Sequence, residues 1–354
     1  MAIEVIVLYD VLIIGAGPTG SSAAKELAAN GYNVLIVEKF KMPRNKSCSG
    51  ILINKSIQLL TLYFGNYPPQ TVMCTPRENR GMILTNDEEK EYLYEQKSLN
   101  IWRNAFDYWL VQKAVSAGAK LKDDTTVVNY EEQDNFVVIK LKNKDQGEYS
   151  EKAKIVIDCS GAVCSIKRKL FHFPKNYIYT YQTFNKGFID LDYHYFYAYL
   201  QPQLSEYDAW FNVKDNYLIF GISGKDKTKT GLYYSKFIEY MIQKHNAQVD
   251  VPEKVEKWIM PHILSGCQIN YGIGRILFAG EAAGFLNPMG EGISSGLESG
   301  FAAAKAIQQV DLYSQFDVQT IITAYMRNTI TLKTYMERQW RFVAGLSKKF
   351  SYMK

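Results

Sequence analysis

A chain of 354 residues is long enough for two domains, and 47% hydrophobic with 22% charged residues is the composition of a soluble globular protein. The net charge of +5 is local: residues 333–354 hold six basic groups and one acid, while the rest balances at 35 against 35. That argues against a nucleic-acid binder with a broad basic face, and no run of about 18 uncharged apolar residues offers a membrane-spanning helix.

The opening stretch, "MAIEVIVLYD", lacks the basic region of a signal peptide. Cys48, Cys74, Cys159, Cys164 and Cys267 form neither a C-x-x-C pair nor a zinc spacing. They read as reduced thiols of a cytoplasmic protein, with no metal expected.

The first element is a buried strand, "VLIIGAG" (11–17), an apolar run ending in glycine. A helix, "SSAAKELAANG" (21–31), stops at Gly31, and "NVLIVEKF" (33–40) is the next strand, so the chain opens with a βαβ unit. Its first turn, "GAGPTG", has the G-x-G-x-x-G pattern. Gly15 permits a tight turn, Gly17 lets backbone approach a pyrophosphate, and Gly20 lets helix and strand pack closely. Pro18 and Thr19 open the helix, whose N-terminal N–H groups and dipole suit phosphate. Glu38 ends the second strand, 18 residues after Gly20, where an acid bonds ribose hydroxyls; Lys39 follows it. This predicts a dinucleotide site and leaves NAD and FAD both open.

Further along, 105–118 has helical spacing and 125–157 reads as three strands, "TTVVNY", "NFVVIKLK" and "AKIVID", the last running into "DCSG". From about 177 to 223 the texture changes to alternating aromatic strands. A helix is expected over 232–247, extended chain to about 270, a strand at "RILFAG", and helices over roughly 292–309 and 316–345. The pattern is one α/β unit interrupted by a β-rich insert.

The stretch "GRILFAGEAAGFLNPMGEGISSGLESG" (274–300) bears on the cofactor. Its strand, Gly280-Glu281 pair, small residues and Gly-Glu-Gly turn resemble the second FAD motif of the flavoprotein hydroxylase and geranylgeranyl reductase superfamily. The resemblance implies FAD, with the acid after the glycine on the ribityl chain and the isoalloxazine against Gly290, Gly292 and Ile293. The helix beginning there would stabilise negative charge on reduced flavin. The family usually has Asp where Glu281 stands. "GEAAGF" also resembles the CbrA-type oxidoreductases.

"PRNKSCSG" (43–50) is similar to the Pro-Arg-x-Lys-x-Cys-x-Gly segment of geranylgeranyl reductases, which lies along the FAD. That implies Arg44 on phosphate or ribityl oxygens, Ser49 and Gly50 at close approach, and Cys48 near the ring, orienting substrate or delivering a proton. A packed thiol is the plain alternative for Cys48. "SLNIWRNAFDYWL" (98–110) resembles the family's Arg before a Phe-Asp pair, with Arg103 toward FAD and Asp107 supporting the helix start; a structural salt bridge is the alternative for Arg103. Val127 falls on a family strand whose backbone meets adenine. Ser160-Gly161 stands where aromatic hydroxylases carry Asp-Gly, which disfavours hydroxylation and direct reduction by NADPH. "YDAWFNVKDNYLIFGI" keeps the Trp210 and Gly221 of a reductase substrate strand, with Tyr207 displaced and Asn212-Val213 in place of Phe-Pro. Trp210 is expected to line the substrate cavity. His172, His194, His245 and His262 are isolated and read as ordinary residues.

The resemblance implies an α/β fold: a Rossmann-like FAD-binding domain with an inserted β-sheet substrate domain, of p-hydroxybenzoate hydroxylase-like architecture, and C-terminal helices. Residues 1–69, 101–170 and 268–330 would form the FAD-binding domain, 70–100 and 171–267 the substrate domain, and 331–354 a basic helical tail. The implied activity is reduction of carbon–carbon double bonds in a prenyl chain or other apolar lipid by hydride from reduced flavin, with Cys48 and Trp210 as catalytic residues. Alternatives are a flavin monooxygenase acting on a hydrophobic small molecule and a flavin- or lipid-binding protein without turnover. The electron donor would be NADPH or a ferredoxin-like protein. The tail, with Trp340, Phe342, Leu346 and Phe350 among its basic residues, reads either as a peripheral membrane contact or as a packed helix with a solvated basic face.

Overall fold

The computed structural model describes residues 7–164, 166, 170, 177–261, 268–288 and 290–353. His172, His262 and Cys267 lie outside the described residues. The chain opens with strand β1 (Leu8–Ile14), helix α1 (Pro18–Ala29) and strand β2 (Val34–Val37). It crosses to a second sheet through β3 (Ile51–Leu52), α2 (Asn54–Phe64) and the long hairpin β4 (Met73–Thr85) and β5 (Glu91–Ile101). It returns through α3 (Arg103–Ser116), β6 (Lys120–Lys122), β7 (Thr125–Glu132), β8 (Val137–Asn143) and β9 (Gly147–Asp158). A second excursion supplies β10 (Tyr177–Asn185), β11 (Gly187–Phe188), β12 (Tyr195–Tyr199), β13 (Ala209–Lys214), β14 (Tyr217–Gly224), α4 (Thr230–His245), β15 (Gln248–Val249) and β16 (Lys254–Pro261). The chain ends in β17 (Gly272–Ile273), β18 (Ile276–Phe278), α5 (Ile293–Ile307), α6 (Val318–Asn328) and α7 (Ile330–Leu346).

The first sheet runs β18-β9-β1-β2-β6 in parallel, with β17 antiparallel at one edge and the β7–β8 hairpin on the first half of β9. β1 and β2 are buried almost throughout, packed against α1 and within one core with the β7–β8 hairpin. The second sheet runs β16-β10-β14-β13-β12-β4-β5-β3 and is antiparallel except at β12–β4. Ile51–Leu52, placed by the sequence in the nucleotide-binding segment, pairs instead with β5 of this second sheet.

Alternation along β13 sets up the site. Ala209, Phe211 and Val213 turn toward α4 and its core of Phe220, Phe237 and Met241. Trp210, Asn212 and Lys214 turn the other way, toward the first sheet. The sequence predicts one helix over 316–345, but the structure has two. They meet at Thr329, whose hydroxyl donates to Tyr325 O at 2.9 Å, a side-chain bond that competes with helix continuation. Among the described residues, no helix is long and apolar enough to cross a membrane.

Candidate active site

A cavity of about 710 Å³ lies between the two sheets. One end is the turn from β1 into α1. Gly15 has φ +100°, and a Cβ there would stand 2.7 Å from Cys159 O. A Cβ on Gly20 would overlap Gly15 O, so this glycine serves packing. At Gly17 a Cβ would meet only Arg44 Nη2, at 3.4 Å, and faces open cavity. The first N–H groups of α1 have no partner within the helix and lie at this opening, a ready anion site. Pro18 and Thr19 line it, with Lys39 and the half-buried Val127 farther along the wall.

Glu38 is buried, and its Oε2 accepts from Ala16 N at 2.9 Å while Oε1 accepts from Phe40 N at 3.1 Å. Arg44 reaches Glu38 Oε2 with Nε at 3.4 Å and Asp107 Oδ2 with Nη1 at 3.1 Å. Arg103 is bidentate to Asp107 (Nε–Oδ1 3.1 Å, Nη2–Oδ2 3.1 Å) and hydrogen-bonds the Cys48 sulfur. Asp107 therefore joins two arginines rather than capping its helix. Burial alone would raise its pKa, but Arg103 and then Arg44 outweigh this and hold it below the usual carboxylate range. Arg103 forms a structural ion pair and also lines the cavity.

Cys48 accepts from Gly50 N at 3.3 Å. Burial would raise its thiol pKa, yet the charges of Arg103 and Lys214, with these two hydrogen bonds, bring it below the ordinary value. Gly50 has φ +73°, and the Lys214 ammonium occupies the place where a Cβ would stand. Asn212, one of the residues replacing Phe-Pro, donates through Nδ2 to Ser49 O at 3.3 Å and so fastens the Cys48 loop to β13.

The turn after β18 packs onto the glycine turn. Cβ atoms on Gly280, Gly296 or Gly300 would each collide with Thr19. Glu281 lies in the gap between Gly161 and Gly292: its Oε2 is 3.5 Å from a Cβ position on the former and its Oε1 3.2 Å from one on the latter. Two missing side chains make room for the longer acid, and Lys46 Nζ stands 3.6 Å from its Oε1. Gly290, Gly292 and Ile293 line the cavity at the start of α5. Glu291 caps that helix, its Oε1 accepting from Ser294 N at 2.8 Å.

Beyond Cys48 the walls become mostly apolar, with Met82, Leu84, Phe196 and Met260 from the second sheet and Phe342 and Val343 from α7, and with Asn79, Ser98, Thr180 and Asp208 as polar points among them. Trp210 spans this part and donates from Nε1 to Gln182 Oε1 at 3.2 Å. Its ring occupies the space a side chain on Gly221 would need, which explains why the two occur together.

The family model described as FAD binding domain matches residues 8–311. The chain belongs to that family. It is 27% identical over 354 aligned positions to the digeranylgeranylglycerophospholipid reductase of Methanocaldococcus jannaschii, covering 94% of this chain and 82% of the relative. It is 26% identical to Protein CbrA of Escherichia coli O6:H1, over 92% of this chain and 86% of that one. A geranylgeranyl bacteriochlorophyll reductase-like protein of Thermoplasma acidophilum superposes with a TM-score of 0.78 at 21% identity, over 95% of this chain and 86% of that one. The chain is thus an FAD-dependent oxidoreductase of geranylgeranyl reductase type. The open cradle over Gly17, the helix N-terminus beneath it and the gap held by Glu281 are a chemical fit to that cofactor.

Two features at or beside this flavoenzyme's cavity escaped the sequence reading. Lys214 had no motif to mark it. The tail, read as a peripheral membrane contact or as a packed helix with a solvated basic face, puts Leu332 and Met336 into the core of the first sheet and buries Trp340, Val343, Ala344 and Phe350 against Leu84, Leu200 and Tyr207 at the second. Tyr335, Gln339, Phe342 and Leu346 recur at helical spacing and form a cavity wall. That stripe was the available signal.

Proposed function

We propose that this enzyme reduces carbon–carbon double bonds of a prenyl chain or other apolar lipid. The observation that carries the reading is the cavity, which runs without a break from the nucleotide-type turn past Cys48 into an apolar chamber with few polar handles. The Methanocaldococcus relative is named as a reductase of a prenyl lipid, digeranylgeranylglycerophospholipid. FAD, when bound and reduced, supplies the hydride.

The chain's own residues do the rest. The α1 N-terminus with Gly15, Gly17 and Gly20 would take the pyrophosphate, and Glu38 a ribose. Arg44 and Glu281 would hold the ribityl side. Gly161, Gly290, Gly292 and Ile293 would leave space for the ring, with the α5 N-terminus beside it. Trp210 and the wall of α7 position the chain of the substrate and keep water out. Cys48 gives the proton that completes reduction, its thiol held below the ordinary value by Arg103 and Lys214. The cavity mouth, where Phe342 and Tyr335 are exposed, would receive the lipid from an anionic membrane surface.

The test is photoreduction without air followed by a geranylgeranyl lipid, which needs no natural electron donor. Flavin reoxidation with a product heavier by pairs of hydrogens is expected. No reoxidation by the lipid, together with substrate-coupled O2 consumption once air enters, would replace this reading with the monooxygenase one.

A further inference from the structure

A second, smaller cavity of about 100 Å³ lies behind Cys48. Only Lys46, Cys48 and Arg103 border both cavities, so they form the partition between them. The main chamber is mostly apolar beyond this wall, with Asn79 and Asp208 among its polar groups, whereas the second cavity has Asn45, Asn104, Lys214, Lys254 and Glu256 beside the rings of Trp102 and Phe184. Its volume and donors suit a few waters, each needing about 30 Å³ and two to four polar partners. Asn45 and Lys254 are exposed, so it opens to solvent on the side away from the substrate chamber.

The charges around it are paired with one exception. Lys254 Nζ is 2.7 Å from Glu256, Lys46 faces Glu281, and Arg103 is held by Asp107. Lys214 is 2% exposed, and its Nζ donates to Ile101 O at 2.8 Å. Burial pushes its pKa below the ordinary lysine value, and the groups that favour its charge are Cys74 first, then Cys48 and Glu256. A buried ammonium with a single neutral acceptor gains most from an anion alongside, and Cys48 is the thiol that opens on both cavities.

We propose that this second cavity is a hydrated proton port that reloads Cys48 from bulk water, and that Lys214 is the positioning residue that holds the discharged sulfur. The inference rests on Cys48 as proton donor in the proposed reaction. The cycle balances: hydride goes to one alkene carbon, the Cys48 proton to the other, and the thiolate takes a proton from port water that bulk solvent replaces. Water thereby serves the reaction without entering the chamber where the double bond lies.

The test reads Cys48 in the FAD-loaded enzyme by iodoacetamide labelling and mass spectrometry of its peptide. In Lys214→Met the midpoint of the labelling-versus-pH curve should rise by about one unit, a tenfold loss of thiolate below it. Lys214→Arg should restore the midpoint. In Asn45→Trp, at a pH above the midpoint and with the main chamber occupied by a fully saturated alkyl lipid that bars entry from that side, most of the labelling seen in the wild type under the same conditions should be lost because the port mouth is filled, while the flavin spectrum is unchanged. With a reducible lipid, Asn45→Trp should lower kcat and enlarge the solvent deuterium isotope effect without raising KM. An unmoved midpoint in Lys214→Met, or full labelling in Asn45→Trp, overturns the proposal. The labelling arms need no substrate, so they decide on the port even if the enzyme reduces no prenyl lipid.

Discussion

Gly17 and Gly20 belong to one pattern but fail differently when given a side chain. Over Gly17 a Cβ meets only the far end of Arg44, so Gly17→Val fills cofactor space and leaves the protein intact. It should fold normally and emerge without flavin; a normal flavin-to-protein absorbance ratio would remove the site from this turn. Gly20→Val drives a side chain into Gly15 O and should not fold at all, visible as loss of soluble protein. Asp107 is the third sensitive residue, since Asn there leaves two buried arginines short of a charge. Asp107→Asn should cost about 3–5 kcal/mol in urea unfolding at neutral pH. Because the folded carboxyl lies below its unfolded value, that advantage is full above about pH 4 and shrinks as pH falls through the folded value. A gap between variant and wild type that stays constant into acid would refute the ion-pair account. Residues such as Glu38, Cys48 and Glu281 were legible because short ordered motifs carry them. Lys214 was not, because a lysine ending a strand looks like a solvent-facing residue. Only the pairing of β13 with the rest of the second sheet turns it inward against Gly50, 164 positions earlier.

At the scale of elements, α7 changes meaning most between sequence and structure. Its charges are visible in the sequence, and so is the apolar row Met336, Trp340, Val343, but nothing local says what that row packs on. Met336 joins the core of the first sheet, whereas Trp340 and Val343 meet β-structure built from residues more than 130 positions away, together with Leu286, whose carbonyl accepts from Trp340 Nε1 at 3.3 Å. Trp340→Ala should cost about 3–5 kcal/mol, as removal of a large buried ring does. Because Leu286 continues the turn that carries Glu281, flavin retention should fall as well, measured as flavin released on gel filtration. Loss of stability with full flavin retention would separate α7 from the cofactor site. The βαβ start and α5 were legible because glycine punctuation and helical period agree there. The break at Thr329 was not, since neither Gly nor Pro marks it. Strand order in the second sheet was equally hidden, because β12 pairs in parallel with β4, 114 residues before it, by a connection that no local pattern encodes.

The net positive charge of the molecule is concentrated in residues 333–354, and α7 of that stretch borders the mouth of the cavity. Phe342 and Tyr335 are 54% and 40% exposed while also lining the chamber, so an apolar rim stands in water. Among the tail's basic groups, Lys333 has Glu337 and Lys348 has Glu88 as partners. Arg338 and Arg341 sit on the same exposed side of α7 as the two rings and have no carboxylate partner among the described residues. Aromatic rings flanked by unpaired arginines suit the boundary of an anionic bilayer, and an enzyme drawing an apolar chain into this chamber gains from lying against its source. Each basic residue near such a surface contributes about 1 kcal/mol. Replacing Arg338 and Arg341 together by Gln should therefore weaken binding to phosphatidylserine-containing vesicles by about 2 kcal/mol, roughly thirtyfold, in co-sedimentation. Vesicles of neutral lipid should bind weakly, and high salt should release the wild-type protein because exposed charges are then screened within about 3 Å. Turnover on a short prenyl alcohol in free solution should be unaffected by the double substitution. Equal binding of the wild type and the double variant to anionic vesicles would show that the mouth meets its lipid by another face.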